Sequence, residues 1–190
     1  MPSRSINFEQ GRYYHVYNRG NNCQPIFFDK ENYLYFLRLS RYYLVDEHIS
    51  ILAYCLMPNH YHFLVQCNGG NLSEAMKLLS LTYTKSINKR FNRVGSLFQG
   101  RFKAILVDSD EYLVHLVRYI HLNPVKADLV KSASEWEFSS FCEYAGIRRG
   151  SLPSIEFVRS MIGSDEEYFS FLNECNLPSI PQLMALMLDE

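Results

Sequence analysis

The sequence predicts an α+β fold of the ferredoxin-like kind: an antiparallel β-α-β-β-α-β sheet, a further helix docked on it and a small helical extension. Three observations carry this. Runs rich in aromatic and β-branched residues fall at 11–19, 48–56, 60–66 and 102–107 and read as strands, with helical-period runs at 29–45 and 71–92 between them in the required order. A third helical run, 108–123, follows the last strand directly. The chain has 190 residues, 47% of them hydrophobic, which is enough to bury one good core.

The first strand, Gly11 to Arg19, is rich in tyrosine and ends at the turn around Gly20-Asn21-Asn22. His15 within it is placed to approach the active site, with a structural role favoured, and Arg19 before the turn is a candidate phosphate contact. Asp29 is suited to cap the first helix, whose inward residues are Tyr33, Phe36, Leu37 and Leu44. The second and third strands are joined by the short turn Met57-Pro58-Asn59, which makes them antiparallel neighbours.

The third strand carries His60 and His62. Side chains alternate across a strand, so both imidazoles point to one face, with Leu64 and Gln66 behind them. Neutral imidazole is the commonest protein metal ligand, and this pair offers two adjacent corners of a metal site. An arbitrary His-x-His pair is more often one core residue and one solvated residue, so a partner elsewhere must complete the set.

Asn71 opens the second long helix, with Leu72, Ala75, Met76, Leu79, Tyr83 and Ile87 as its apolar series. Lys85, Lys89 and Arg93 recur four apart on its surface, joined by Arg90 and continued by Arg101 and Lys103. No acid occurs between Met76 and Val107, so the segment fits phosphate contact, and Phe91, Phe98 and Phe102 are candidates to stack unpaired bases.

The run from Asp108 to Pro124 starts with cap-type and acidic residues and buries Leu113, Leu116, Val117 and Ile120. Tyr119 and Asn123 lie one turn apart on the shoulder of that stripe. An amide oxygen suits a hard cation, and a cation beside a tyrosine hydroxyl makes it a competent nucleophile toward a phosphodiester. Asn123-Pro124 is expected to end or kink the helix, with Val125 to Val130 adding a further turn. Arg118 and His121 point away from Tyr119 and are assigned no catalytic role.

The formal net charge of −1 hides an asymmetry. Residues 1–130 hold 15 Lys and Arg against 10 Asp and Glu, whereas residues 131–190 hold 4 against 10. We therefore divide the chain into a catalytic domain, 1–130, and an acidic, mainly helical extension, 131–190. The extension has short helical patterns at Ser154 to Ile162 and Asp165 to Asn173, packing aromatics around Trp136, and a tail or short docking helix over 178–190. No apolar run reaches membrane-spanning length and no signal-peptide core is present, so a soluble cytoplasmic protein is expected. The five cysteines are widely spaced and read as reduced.

Four motifs in order then carry a resemblance: Tyr14-His15-Val16-Tyr17-Asn18-Arg19-Gly20, Met57 to Val65, Gly100-Arg101-Phe102-Lys103, and Tyr119-Ile120-His121-Leu122-Asn123-Pro124-Val125. Together they resemble the single-tyrosine HUH transposases, and within them the REP-associated tyrosine transposases of the insertion-sequence 200 type. The resemblance implies that His60, His62 and Asn123 hold one divalent cation, Mg²⁺ or Mn²⁺, and that Tyr119 attacks single-stranded or hairpin DNA, leaving a 5′-phosphotyrosine and a free 3′-OH. Asn rather than Gln at position 123 resembles the REP-associated branch. Arg19, Lys85, Lys89, Arg90, Arg93, Arg101 and Lys103 are the expected DNA contacts. A monomer is favoured, with a homodimer as the alternative. The competing readings are a non-catalytic DNA-hairpin binder that keeps the fold, a replication-initiator or relaxase-type nuclease, and a hydrolase whose metal activates water.

Overall fold

The computed structural model describes residues 7–173. Four strands form one antiparallel sheet in the order β2-β3-β1-β4, with β1 Tyr13–Arg19, β2 Ile49–Met57, β3 His60–Cys67 and β4 Lys103–Val107. Helices α1 (Lys30–Tyr43) and α2 (Leu72–Arg90) are the two crossovers, and α3 (Asp110–Lys126) follows β4. This is the ferredoxin-like arrangement the sequence predicts, with β1 and β3 central.

Capping sets the helix starts. Asp29 accepts from the Asn32 amide, Asn71 from Glu74 and Ser109 from Tyr112, each satisfying an N-terminal N–H that has no partner within its helix. The inward residues read for α2 are all buried. In α1, Tyr33 and Phe36 are buried, as is Leu44 at its C-cap, while Leu37 packs at the edge of the core.

The sheet is covered on both faces. One face presents Tyr14, Val16, Tyr61, Phe63 and Val65 to α1 and α2. The other presents Leu52, Cys55, Met57 and Leu64 to α3. Period-2 alternation within β1 and β3 thus feeds two cores. Pro124 does not end α3: it sits inside the last turn, and the helix runs on to Lys126. Proline's missing N–H costs the one bond back to the Ile120 carbonyl, and the chain resumes helical bonding beyond it. The Ala127 amide bonds back to the Asn123 carbonyl and the Leu129 amide to that of Pro124.

The segment after α3 contributes to this second core rather than forming one of its own. It contains α4 (Phe141–Tyr144), α5 (Glu156–Ile162) and α6 (Asp165–Asn173), and it buries Ala133, Phe141, Tyr144, Val158, Tyr168 and Leu172 against α3 and β2. Residues 138–140 lie along the outer edge of β2: the Leu56 amide donates to Phe138 O (3.0 Å) and the Ser140 amide to Tyr54 O (2.9 Å). An edge strand that would otherwise offer unpaired backbone is thereby covered. The tail expected over 178–190, and Cys175, lie outside the described residues. Cys23, Cys55, Cys67 and Cys142 are free thiols. Among the described residues no helix is long and apolar enough to cross a membrane.

Candidate active site

The site lies where the α3 face of the sheet meets the tyrosine helix. Register places it: Tyr17 pairs with His62 and Arg19 with His60 across β1 and β3, while Lys103 pairs with Tyr17 from β4. The turn before His60 is anchored to the loop after β1. The Gly20 amide donates to Asn59 O (2.7 Å), and the Ile26 and Phe27 amides donate to Pro58 O (2.8 and 3.1 Å). Gly20 is required here, because a Cβ at this position would lie 1.9 Å from the Gln24 carbonyl oxygen.

His60, His62, Asn123 and Tyr119 come together. The rings of His60 and His62 are 5.0 Å apart and nearly perpendicular. Tyr119 meets His62 edge to face at 5.5 Å. His60 Nε2 stands 3.3 Å from Asn123 Oδ1. Asn123 is 2% exposed and Tyr119 only 1%, so both lie deeper than the shoulder position the helical wheel gives.

The tautomer of His60 follows from its neighbours. Asn59 Nδ2 donates to the Cys23 carbonyl (3.3 Å), which turns Asn59 Oδ1 toward His60 Nδ1 at 2.7 Å. Nδ1 then carries the proton, and Nε2 is an acceptor facing the Asn123 oxygen. Two acceptors meeting at 3.3 Å are reconciled by a cation between them, or without one by turning the Asn123 amide to present Nδ2. This donor set fits a divalent cation. Among the described residues no group of three His, Cys, Asp or Glu side chains does so, as expected where an amide supplies the third donor.

His15, which the sequence reading allows to approach the active site while favouring a structural role, lies beside the pair. It is fully buried, its Nε2 lies 2.9 Å from His62 Nδ1 with the two rings edge to edge and close to one plane (centres 5.1 Å apart, 14°), and it stacks on Tyr17 (4.9 Å). Topology held the signal, because in a β-α-β-β-α-β sheet the first strand neighbours the third and His15 shares the period-2 face of Tyr17. Lys126 was missed; two turns after Tyr119, its Nζ lies 5.1 Å from the Tyr119 ring centre.

The basic residues divide into two groups. Arg19, Arg101 and Lys103 line a cleft of about 390 Å³ together with Tyr17, His60 and His62, and Lys103 Nζ sits 5.6 Å from the Tyr17 ring centre. Lys85, Lys89 and Arg90 belong to α2, on the opposite face of the sheet, with Arg93 just beyond its end. Arg90 pairs with Asp29 (2.7 Å), and the Arg93 guanidinium packs on Phe28. Of the aromatics read as base platforms, Phe98 and Phe102 are core residues, 5% and 7% exposed. Only Phe91 remains at the surface, tilted against Phe28.

His121 and Arg118 face away from the site, as expected, and hold the extension. Arg118 donates to Leu172 O, while His121 is bonded to Tyr168 Oη (2.5 Å) and Ser140 Oγ (2.7 Å). Complete burial lowers the His121 pKa to about 3. The folded pKa lies below the unfolded one, so the unfolded chain binds the proton first. The stabilisation is therefore full above pH 6.5 and is lost as pH falls through 6.5 toward 3. Denaturant titrations should show the wild type losing about 2 kcal/mol more than His121→Gln between pH 7.5 and 5. Parallel stability curves would mean that His121 takes up its proton without leaving its pocket.

Residues 10–123 match the family model described as "Transposase IS200 like". A Haemophilus influenzae protein provisionally named a REP-associated tyrosine transposase is 31% identical over 115 residues, covering 54% of this chain and 65% of that protein. The REP-associated tyrosine transposase of Escherichia coli K12 is 28% identical over 111 residues, covering 57% of this chain and 62% of that protein. The match therefore spans just under two thirds of the length of each of these relatives. A solved structure of a REP-associated tyrosine transposase bound to a REP hairpin shares the fold, with a TM-score of 0.64 at 18% identity over 82% of this chain and 96% of that one. The family match covers well over half the chain and spans β1 through Asn123, so this protein belongs to the IS200-like transposase family.

Proposed function

We propose that the protein is a metal-dependent single-strand DNA endonuclease and strand transferase acting on hairpin DNA. The observation that carries this reading is the convergence of His60, His62 and Asn123 beside Tyr119. His60, His62 and Asn123 hold the cation and Tyr119 is the nucleophile. With Mg²⁺ or Mn²⁺ held by these three side chains, the site would gain a Lewis acid for polarising the scissile phosphate, and the two nitrogen donors weight the choice toward Mn²⁺. All three donors are neutral, so they leave the positive charge to be balanced by the phosphate itself.

Tyr119 Oη gives up its proton and forms a bond to phosphorus. The bond from phosphorus to the 3′ oxygen breaks, and that oxygen leaves as a 3′-OH after taking a proton. A second 3′-OH reverses the step on another phosphotyrosine and rejoins strands without ATP. Arg19, Arg101 and Lys103 contact the strand in the cleft. Lys85, Lys89, Arg90 and Arg93 contact DNA only where it passes round to the α2 face. At 1% exposure, Tyr119 reaches a strand only after the side chains packed on it shift. That burial favours the second reading, a hairpin binder without chemistry.

The two readings separate when end-labelled hairpin DNA from around the protein's own gene is incubated with and without Mn²⁺. A Mn²⁺-dependent, denaturant-resistant protein–DNA adduct is expected. Hairpin binding with no adduct would assign the protein to the non-catalytic reading, and a free 5′-phosphate without adduct would assign it to a water-activating hydrolase.

A further inference from the structure

We infer that His15 is the positioning residue for the metal site: by accepting the Nδ1 proton of His62, it keeps His62 in the one tautomer that can bind a cation. This rests on the metal-site reading above. His62 Nδ1 lies 2.9 Å from His15 Nε2, so exactly one proton occupies that contact when both rings are neutral. If the proton belonged to His15, His62 would carry its own on Nε2 and present a donor to the cation. If it belongs to His62, Nε2 is the lone-pair nitrogen. Only the second arrangement gives a ligand.

The same logic governs His60, whose Nδ1 proton goes to Asn59 Oδ1. Each histidine of the pair thus has its own partner setting its tautomer, one on the turn before β3 and one on β1. A ligand histidine whose outer nitrogen donates to a fixed acceptor is both oriented and more basic.

Geometry adds a second effect. His15 is fully buried and stacked on Tyr17 with an interplanar angle of 17°, lies within 14° of the plane of the His62 ring it meets edge to edge, and meets Tyr119 edge to face at 6.5 Å. The ring it offers to His62 cannot swing, so the His62 plane is held in register with the nucleophile. A purely structural His15 would need the stack but not the nitrogen at that position.

His15→Phe preserves the stack and removes the acceptor, whereas His15→Gln returns an amide oxygen. Mn²⁺ affinity of the full chain, measured by calorimetry without DNA, should weaken about 10- to 100-fold in His15→Phe and recover to within a few-fold of wild type in His15→Gln. Long-range ¹H–¹⁵N spectra of the wild type should show His62 protonated on Nδ1. Circular dichroism confirms that each variant is folded. Should either fail to fold, the wild-type spectrum decides alone, since a His62 protonated on Nε2 overturns the inference. Unchanged Mn²⁺ affinity in His15→Phe overturns it too, provided His60→Ala abolishes binding. If His60→Ala also binds Mn²⁺ normally, the metal-site reading itself fails.

Discussion

Replacing Tyr119 by Phe should abolish covalent capture of the DNA strand, a loss on the order of 10³-fold or more, while hairpin affinity stays within about twofold of wild type. The asymmetry follows from what the ring does. Tyr119 packs edge to face on His62 at 5.5 Å and on His15 at 6.5 Å, with Lys126 Nζ 5.1 Å from its centre. Phe keeps all three ring contacts, so the packing of α3 is preserved and only the attacking oxygen is lost. The assay is a denaturing gel of the labelled hairpin with Mn²⁺, with a mobility shift run in parallel for binding. An adduct that survives the substitution would move the nucleophile to another of the fourteen tyrosines. Tyr17 is then the first to test, because its ring stacks 6.0 Å from His62 and lines the same cleft. Peptide mapping of the adduct distinguishes the two.

Much of this site was legible because its parts are local. Strand alternation puts His60 and His62 on one face, and helical spacing puts Asn123 one turn beyond Tyr119; neither needs knowledge of the tertiary fold. What was not legible depended on pairing between distant segments. His15 has no assigned partner in the site until β1 is laid beside β3, and Asn59 has no visible role until the Cys23 carbonyl fixes its amide. The basic run shows the opposite error. Residues adjacent in sequence look like one surface, but α2 packs on the far face of the sheet while the chain after it returns to the near one, so Lys85 and Lys103 part company. Phe98 and Phe102 were misread because charged neighbours hid their inward direction. The acidic balance of the extension likewise describes its surface and hides Phe141, Tyr144 and Tyr168, which close the core under α3.

The extension should therefore control the site's stability, and its strongest lever is the pair Arg148–Glu143. Arg148 donates through Nε and Nη2 to the two carboxylate oxygens of Glu143 (2.8 and 2.7 Å), and also to the Glu137 and Ser139 carbonyls and Tyr54 Oη. One side chain thus fastens α4 to the segment that covers the edge of β2. The Glu143 side chain is 5% exposed and that of Arg148 36%, so removing the arginine strands a carboxylate with little access to water. Partial exposure of the guanidinium lets solvent screen the attraction, which sets the expected loss for Arg148→Met at about 2–3 kcal/mol. For a chain of this size, that lowers Tm by roughly 5–10 °C. Glu143→Gln should lose less, since the amide still accepts from Arg148 on one side. The double substitution should be more stable than the sum of the singles predicts, because neither charge is then left without its partner. Strict additivity across this cycle would show that the two residues act separately. In that case the carbonyl contacts of Arg148, rather than its carboxylate partner, hold the β2 edge and through it the sheet that carries His60 and His62.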